Sequence, residues 1–267
     1  MITQLPKPHY TPRLPKVRAV TIALGFRCSD GIVLCADQQM TVQGWHKFRE
    51  TKMYAIAGIE APSYTVMLTY AGSPHAMKAL HQKMASVTEQ SYFDSVDSVK
   101  ALLEGFLSEM QTEAESTEFL CGFCREGGSF GLLQTNACSV YEVNGYTNIG
   151  VGDSSLVRFL SKLLVSNSMK CFPAVFIGDY IIKQAKEFVD GCGGPTDIYI
   201  LRGNGKFAPA GPRAIAKSSE AAEAIEHDIR SLLWLTANTE ESERIEAFWN
   251  DLRQRAGAFL GREELKA

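Results

Sequence analysis

The chain has 267 residues, 45% of them hydrophobic and 21% charged, with a formal net charge of −3. That is enough to bury one sizeable core, and it exceeds the common single-domain size of about 100–150 residues without requiring two domains. Lysines and arginines are scattered, which gives no footprint for nucleic acid or an anionic membrane, and no run approaches the roughly 18 apolar residues of a membrane span.

Residues 1–18 hold four prolines and several charges without periodicity and read as an extended segment. They lack the continuous apolar stretch of a signal peptide, so the expected location is cytoplasmic. Two strands follow, VTIALGFRC and GIVLCA, joined by a turn at Asp30-Gly31, a strong hairpin signal. KMYAIAG, from Lys52, and TVMLTYAG are two further apolar runs, the second ending in Ala71-Gly72-Ser73. Pro74–Met84 and Asp94–Glu115 carry helical periodicity, with Ser73 as a cap and Pro74 suited to the first turn.

Strand patterns return at Phe119–Phe123, Ser129–Gln134 and Ser139–Val143, the last followed by an Asn144-Gly145 turn. Helices are expected near Ser154–Val165 and Asp179–Val189, then a strand, TDIYILRG, after Gly193-Gly194-Pro195. From Ala216 the text is helical to the end. Alternating blocks of strands and paired helices imply an α+β fold, two sheets between helix layers in a four-layer αββα sandwich with a helical C-terminal extension. The expected division is an N-terminal segment 1–18, a central domain 19–215 and the extension 216–267. The extension, with Trp234 and Trp249 at apolar positions, covers its own core or docks on a neighbouring subunit; the first is the simpler reading.

Seven cysteines, most of them inside apolar runs, read as small buried hydrophobes rather than a disulfide framework. Cys121-Gly-Phe-Cys124 has redox or zinc spacing, but it lies in a strand pattern without a second ligand pair. No metal and no cofactor are expected.

Read singly, the residues that open the chain are unremarkable in chemistry. Thr21 is a β-branched residue in a strand, Asp37 a turn or cap residue, Lys52 a solvated charge and Gly72 a strand end. Their order and spacing are more specific. Thr21 opening a strand, the Asp30-Gly31 turn, IVLCAD ending in Asp37, Thr41, and Lys52 heading KMYAI together resemble a proteasome β-type subunit of the N-terminal-nucleophile (Ntn) hydrolase family. LTYAGS, LCGF, GVGDSSL and DGCGGPTDIYIL follow in the same order, so the resemblance runs from Val20 to Leu201.

The resemblance implies a threonine-type peptidase cutting peptide or unfolded-protein substrates, with Thr21 as nucleophile once residues 1–20 are removed as a propeptide. A threonine that begins a chain can pass its hydroxyl proton to its own amine, so no histidine base is needed. The resemblance gives Lys52 the role of biasing the hydroxyl towards deprotonation and Asp37 that of holding the ammonium. It makes the Gly72 N–H an oxyanion donor, pairs Thr41 with substrate backbone and lines the side-chain pocket with Met40 and Tyr70. It further implies self-assembly into a ring and an ATPase regulator.

Departures from the family pattern support a competing reading. Val20 stands where a glycine normally precedes the threonine, Val151 and Cys192 where serines are usual, and Gln39 where arginine is common. Asp190 is one position out of register, the Asp37 to Lys52 spacing is one residue short, and the loop before Ala71 is longer than usual. The alternatives are a catalytically inactive structural or gating subunit, or a non-peptidase Ntn amidohydrolase on the same scaffold.

Overall fold

The computed structural model describes residues 21–42, 46–58, 63–90, 93–110, 116–137, 139–150, 155–166, 168–237, 246–248, 250–251 and 254. The N-terminal segment 1–18 thus lies outside the described residues. The chain divides into two compact units between Ile215 and Ala216.

In the first unit, β1 (Ile22–Cys28) and β2 (Gly31–Asp37) form the expected hairpin. A short ribbon, β3 (Gln39–Val42) and β4 (His46–Arg49), comes before β5 (Met53–Gly58) and β6 (Tyr64–Ala71). Helices α1 (Pro74–Gln90) and α2 (Val96–Met110) lead to β7 (Glu118–Arg125), β8 (Phe130–Asn136), β9 (Ser139–Val143) and β10 (Tyr146–Gly150). Helices α3 (Ser155–Leu164) and α4 (Cys171–Phe188) are followed by β11 (Thr196–Arg202) and β12 (Phe207–Pro209). One sheet has the order β10-β1-β2-β11-β12, a second β5-β6-β7-β8-β9, and the ribbon is a third; every pairing is antiparallel. The fold is α+β.

Strands β2 and β6 are buried at every position, which is why they read as continuous apolar runs rather than alternating ones. Alternate residues serve different cores. Ala23, Ile32, Leu34 and Ala36 of the first sheet pack with Met67, Ala71, Leu120 and Leu132 of the second. Leu24, Phe26, Val33 and Cys35 pack instead with Val157, Ala174 and Ile182 of α3 and α4. Leu68, Tyr70, Phe119 and Cys121 pack with Leu80 of α1 and Leu103 of α2. Cys121 and Cys124 fall in different cores, on opposite faces of β7, so the C-x-x-C spacing cannot close on one ligand.

The helix starts have local causes. Ser73 caps α1 by accepting from Ala76 N at 3.3 Å, with Pro74 in the first turn. Ser95 and Ser98 bond reciprocally at the start of α2. Helix α4 is capped from a distance: Cys171 N donates to Asp30 Oδ1 at 2.7 Å, from the turn of the first hairpin. It begins eight residues before the expected start because Pro173 falls in its first turn, where no N–H is needed. Gly178 belongs to this helix for want of room, since a Cβ there would lie 2.5 Å from Cys35 Sγ.

Helix α5 (Pro212–Ala237) opens at the end of the first unit and carries into the second. Along it Arg230 pairs with Glu226 at 3.5 Å, a surface contact worth a few tenths of a kcal/mol. The side chains of Trp234 and Trp249 lie outside the described residues. No helix among the described residues is long and apolar enough to cross a membrane.

Candidate functional site

Hairpin register places Ala23 opposite Ala36, which sets Thr21 and Asp37 at the same end of the first sheet. On the other side of β2, Thr196 opposes Asp37 and brings the 189–195 turn over it. The Asp37 carboxylate is fully committed. Its Oδ1 accepts from Ile22 N at 3.2 Å and from Lys52 Nζ at 2.6 Å, and its Oδ2 accepts from Gly193 N at 3.1 Å. Lys52 also donates to Gln39 O at 2.7 Å. Thr21, Asp37 and Lys52 are all 0% exposed.

Burial pulls the Lys52 ammonium below its ordinary range, opposed by the Asp37 charge and hydrogen bond. A second lysine lies close by: Lys186 of α4 donates to Thr196 Oγ1 at 2.5 Å and is lowered by burial too, against the pull of Asp37, Asp179 and Asp197. Burial pushes the Cys192 thiol up to about 12, with Asp37 adding to the rise and the two lysines reducing it.

These shifts set the alkaline behaviour. Burial also raises the thiols of Cys35, Cys121 and Cys124 and the Tyr70 phenol. An acid raised on folding keeps its proton in the native state after the unfolded chain has lost it, so its stabilisation falls as pH passes the ordinary value, 9.0 for the thiols. The two lysines act the other way, since their unfolded forms bind more protons up to 10.5. The thiols outnumber them, and the denaturant midpoint is expected to fall between pH 8.5 and about 10.5. A flat or rising midpoint would contradict this balance.

The Thr21 hydroxyl donates to Met40 Sδ, 4.0 Å away, and among the described residues no hydrogen bond joins it to Lys52. Met40 is 2% exposed, a filler beside the threonine. Since Val20 precedes Thr21, the threonine nitrogen is an amide here, without the basicity of an amine. Gly150 abuts the Thr21 carbonyl, held by its own N–H donating to Glu118 Oε2 at 2.8 Å.

The other expected site residues are distributed unevenly. Gly72, at φ +125°, follows Ala71, whose Cβ lies against Gly150; a Cβ on Gly72 would meet Ser116 O at 2.5 Å. Thr41 pairs with Lys47 across the ribbon, and its side chain lies outside the described residues. Tyr70 is buried. It lies on the opposite face of β6 from Ala71, in the core beneath α1 and α2, because successive strand residues alternate faces. Val151 is outside the described residues, and Asp190 is exposed.

Gln39 and Lys186 were not foreseen as parts of this cluster. Gln39 ties the turn down, its Nε2 donating to Gly191 O at 2.8 Å and its backbone N to Gly193 O at 3.1 Å. Lys186 carried a legible signal, a cation seven residues beyond Asp179 and four beyond Ile182 on the buried face of α4. Among the described residues no group of three or more His, Cys, Asp or Glu is arranged to hold a metal ion.

No protein-family model matches the chain, and no curated protein does. Solved structures do. The chain is similar to the Anbu (ancestral beta-subunit) protein of Yersinia bercovieri, with a TM-score of 0.68 at 14% identity over 80% of this chain and 97% of that one. A Gly-1 mutant of Anbu from Hyphomicrobium sp. strain MC1 gives 0.67 at 15% identity, covering 79% and 96%. The Anbu complex of Pseudomonas aeruginosa, solved as a helical assembly, gives 0.63 at 11% identity, covering 79% and 97%. At these identities the likeness establishes the fold alone. It also corrects the expected proteasome β-type subunit of the N-terminal-nucleophile hydrolases: these neighbours are Anbu proteins, proteasome-like but a family apart.

Proposed function

We propose that this chain is an Anbu-like subunit that assembles with copies of itself and acts as a structural or gating component. The observation that carries this is the setting of Thr21, whose buried hydroxyl faces a methionine sulfur while Lys52 is held by Asp37 and Gln39 O. The helical assembly of the similar Pseudomonas aeruginosa complex supports self-association. The three cores, one between the large sheets and one beneath each helix pair, support an αββα sandwich as the assembling body.

A second reading is favoured by one observation, the burial of Thr21, Asp37 and Lys52 together at one sheet end. In it the chain is a threonine-type peptidase acting on peptides or unfolded protein after residues 1–20 are removed. Thr21 is then the nucleophile, supported by Asp37 and Lys52, with the Gly72 N–H as oxyanion donor. A non-peptidase amide hydrolase would use the same atoms. An ATPase regulator and a cytoplasmic location belong to the peptidase reading.

Intact-mass measurement and negative-stain imaging of the purified protein separate the two. The structural reading expects a chain that stays full length on prolonged incubation, takes no covalent adduct from an electrophilic peptide, and forms rings or helices. A species beginning at Thr21, absent from Thr21→Ala, would overturn it in favour of the peptidase. Images of monomers alone would remove the assembling subunit.

A further inference from the structure

The start of α4 is fastened to the first hairpin on both sides of two cysteines. Ser29 N donates to Met169 O at 2.9 Å, and Cys171 N donates to Asp30 Oδ1 at 2.7 Å. Cys28 and Gly31 are register partners at the turn end of the hairpin. A Cβ on Gly31 would lie 2.2 Å from Leu201 O of the neighbouring strand and 3.1 Å from Cys171 Sγ, so that sulfur sits beside Gly31, and its thiol interacts with that of Cys28. Both thiols belong to the core between the first sheet and its helices, at 4% and 1% exposure.

We propose that Cys28 and Cys171 are an oxidative modification site, joined as a disulfide when the chain meets a low-molecular-weight disulfide. The other described cysteines are badly placed to compete. Cys35 opposes Leu24, four residues further along β2 than Gly31. Cys121 and Cys124 belong to the second sheet, and Cys192 follows the far end of α4. The exchange is conventional. One cysteine loses its proton, and the thiolate attacks the small disulfide, forming a mixed disulfide and expelling one small thiolate that takes up a proton. The second cysteine then loses its proton and attacks the protein sulfur of the mixed disulfide, expelling the second small thiol. The protein loses two electrons and two protons, and the oxidant gains both as two thiols.

The neighbouring Cys28 thiol, burial and the Asp30 carboxylate together hold the Cys171 thiol protonated, so reaction starts from molecules in which the α4 start has opened. The product pins that start to the hairpin.

The test uses the full-length protein incubated with glutathione disulfide, alkylated without reduction, digested and mapped by mass. A linked pair of peptides containing Cys28 and Cys171 is expected, with a melting temperature raised by several degrees and restored by a reducing thiol. Cys28→Ala and Cys171→Ser should each abolish the linked peptide and the rise together. Recovery of both cysteines as alkylated free thiols after prolonged exposure would overturn the proposal. So would glutathione on each separately, or linkage of either to another cysteine. The wild-type map decides the matter even if a variant fails to fold.

Discussion

Asp37→Ala is expected to lower folding stability by about 3–5 kcal/mol, read as a fall in denaturant midpoint, because it strands the Lys52 ammonium in the interior. In the native protein Asp37 satisfies Lys52 Nζ at 2.6 Å and the backbone N–H groups of Ile22 and Gly193. Without the carboxylate, Lys52 must either stay charged against low dielectric or give up its proton. The second route limits the cost: neutralising an ordinary lysine at pH 7 takes roughly 4.6 kcal/mol. Either of the two stranded N–H groups, if water did not reach it, would take the loss beyond that range by about 1–3 kcal/mol. Lys52→Met should cost less, since Asp37 keeps both backbone donors. The double variant Asp37→Leu/Lys52→Met should be more stable than the sum of the single losses implies, as it removes both charges and leaves an apolar contact. Additivity within about 0.5 kcal/mol would show that the two groups do not act as a pair.

This ion pair was partly legible before any coordinates. Asp37 at the end of an apolar strand and Lys52 at the head of another are ordinary residues singly, and only their order beside Thr21 suggested contact. The first hairpin was readable because Asp30-Gly31 marks its turn. The ribbon was not, since four-residue strands carry too little alternation to stand out. The first half of α4 was hidden by Pro173 and Gly178, which look like helix breakers. Proline is harmless in a first turn, and the glycine answers a contact with Cys35, 143 residues earlier in the chain, that no local pattern contains. That Tyr70 and Ala71 serve different cores was legible by parity alone. If Ala71 faces the other sheet, its neighbour faces the helices. Chemistry was the least legible part, because the same Thr21, Asp37 and Lys52 serve a processed nucleophile or an unprocessed core, and the difference lies in the bond before Thr21 rather than in the residues.

Gly150→Ala is expected to destabilise the protein by about 2–5 kcal/mol, whereas Gly105→Ala is expected to stabilise it by up to about 1 kcal/mol. Gly150 ends β10 at φ +73°, a conformation that costs an L-residue about 1–2 kcal/mol. A Cβ there would lie 2.1 Å from Thr21 O and 2.9 Å from Ala71 Cβ. The nearest atom is backbone, so relief requires moving the first residue of the candidate site or the strand beside it. Moving the Thr21 carbonyl shifts the next peptide nitrogen, that of Ile22, which donates to Asp37. The substitution should therefore weaken the ion-pair cluster as well, and its cost should shrink in an Asp37→Leu/Lys52→Met background. Gly105 is exposed within α2, with nothing within 4 Å of a Cβ, so alanine there only restores helix propensity. Denaturant midpoints of both variants test the assignment. A Gly150→Ala protein within about 0.5 kcal/mol of the parent would mean that Thr21 is not held by this contact.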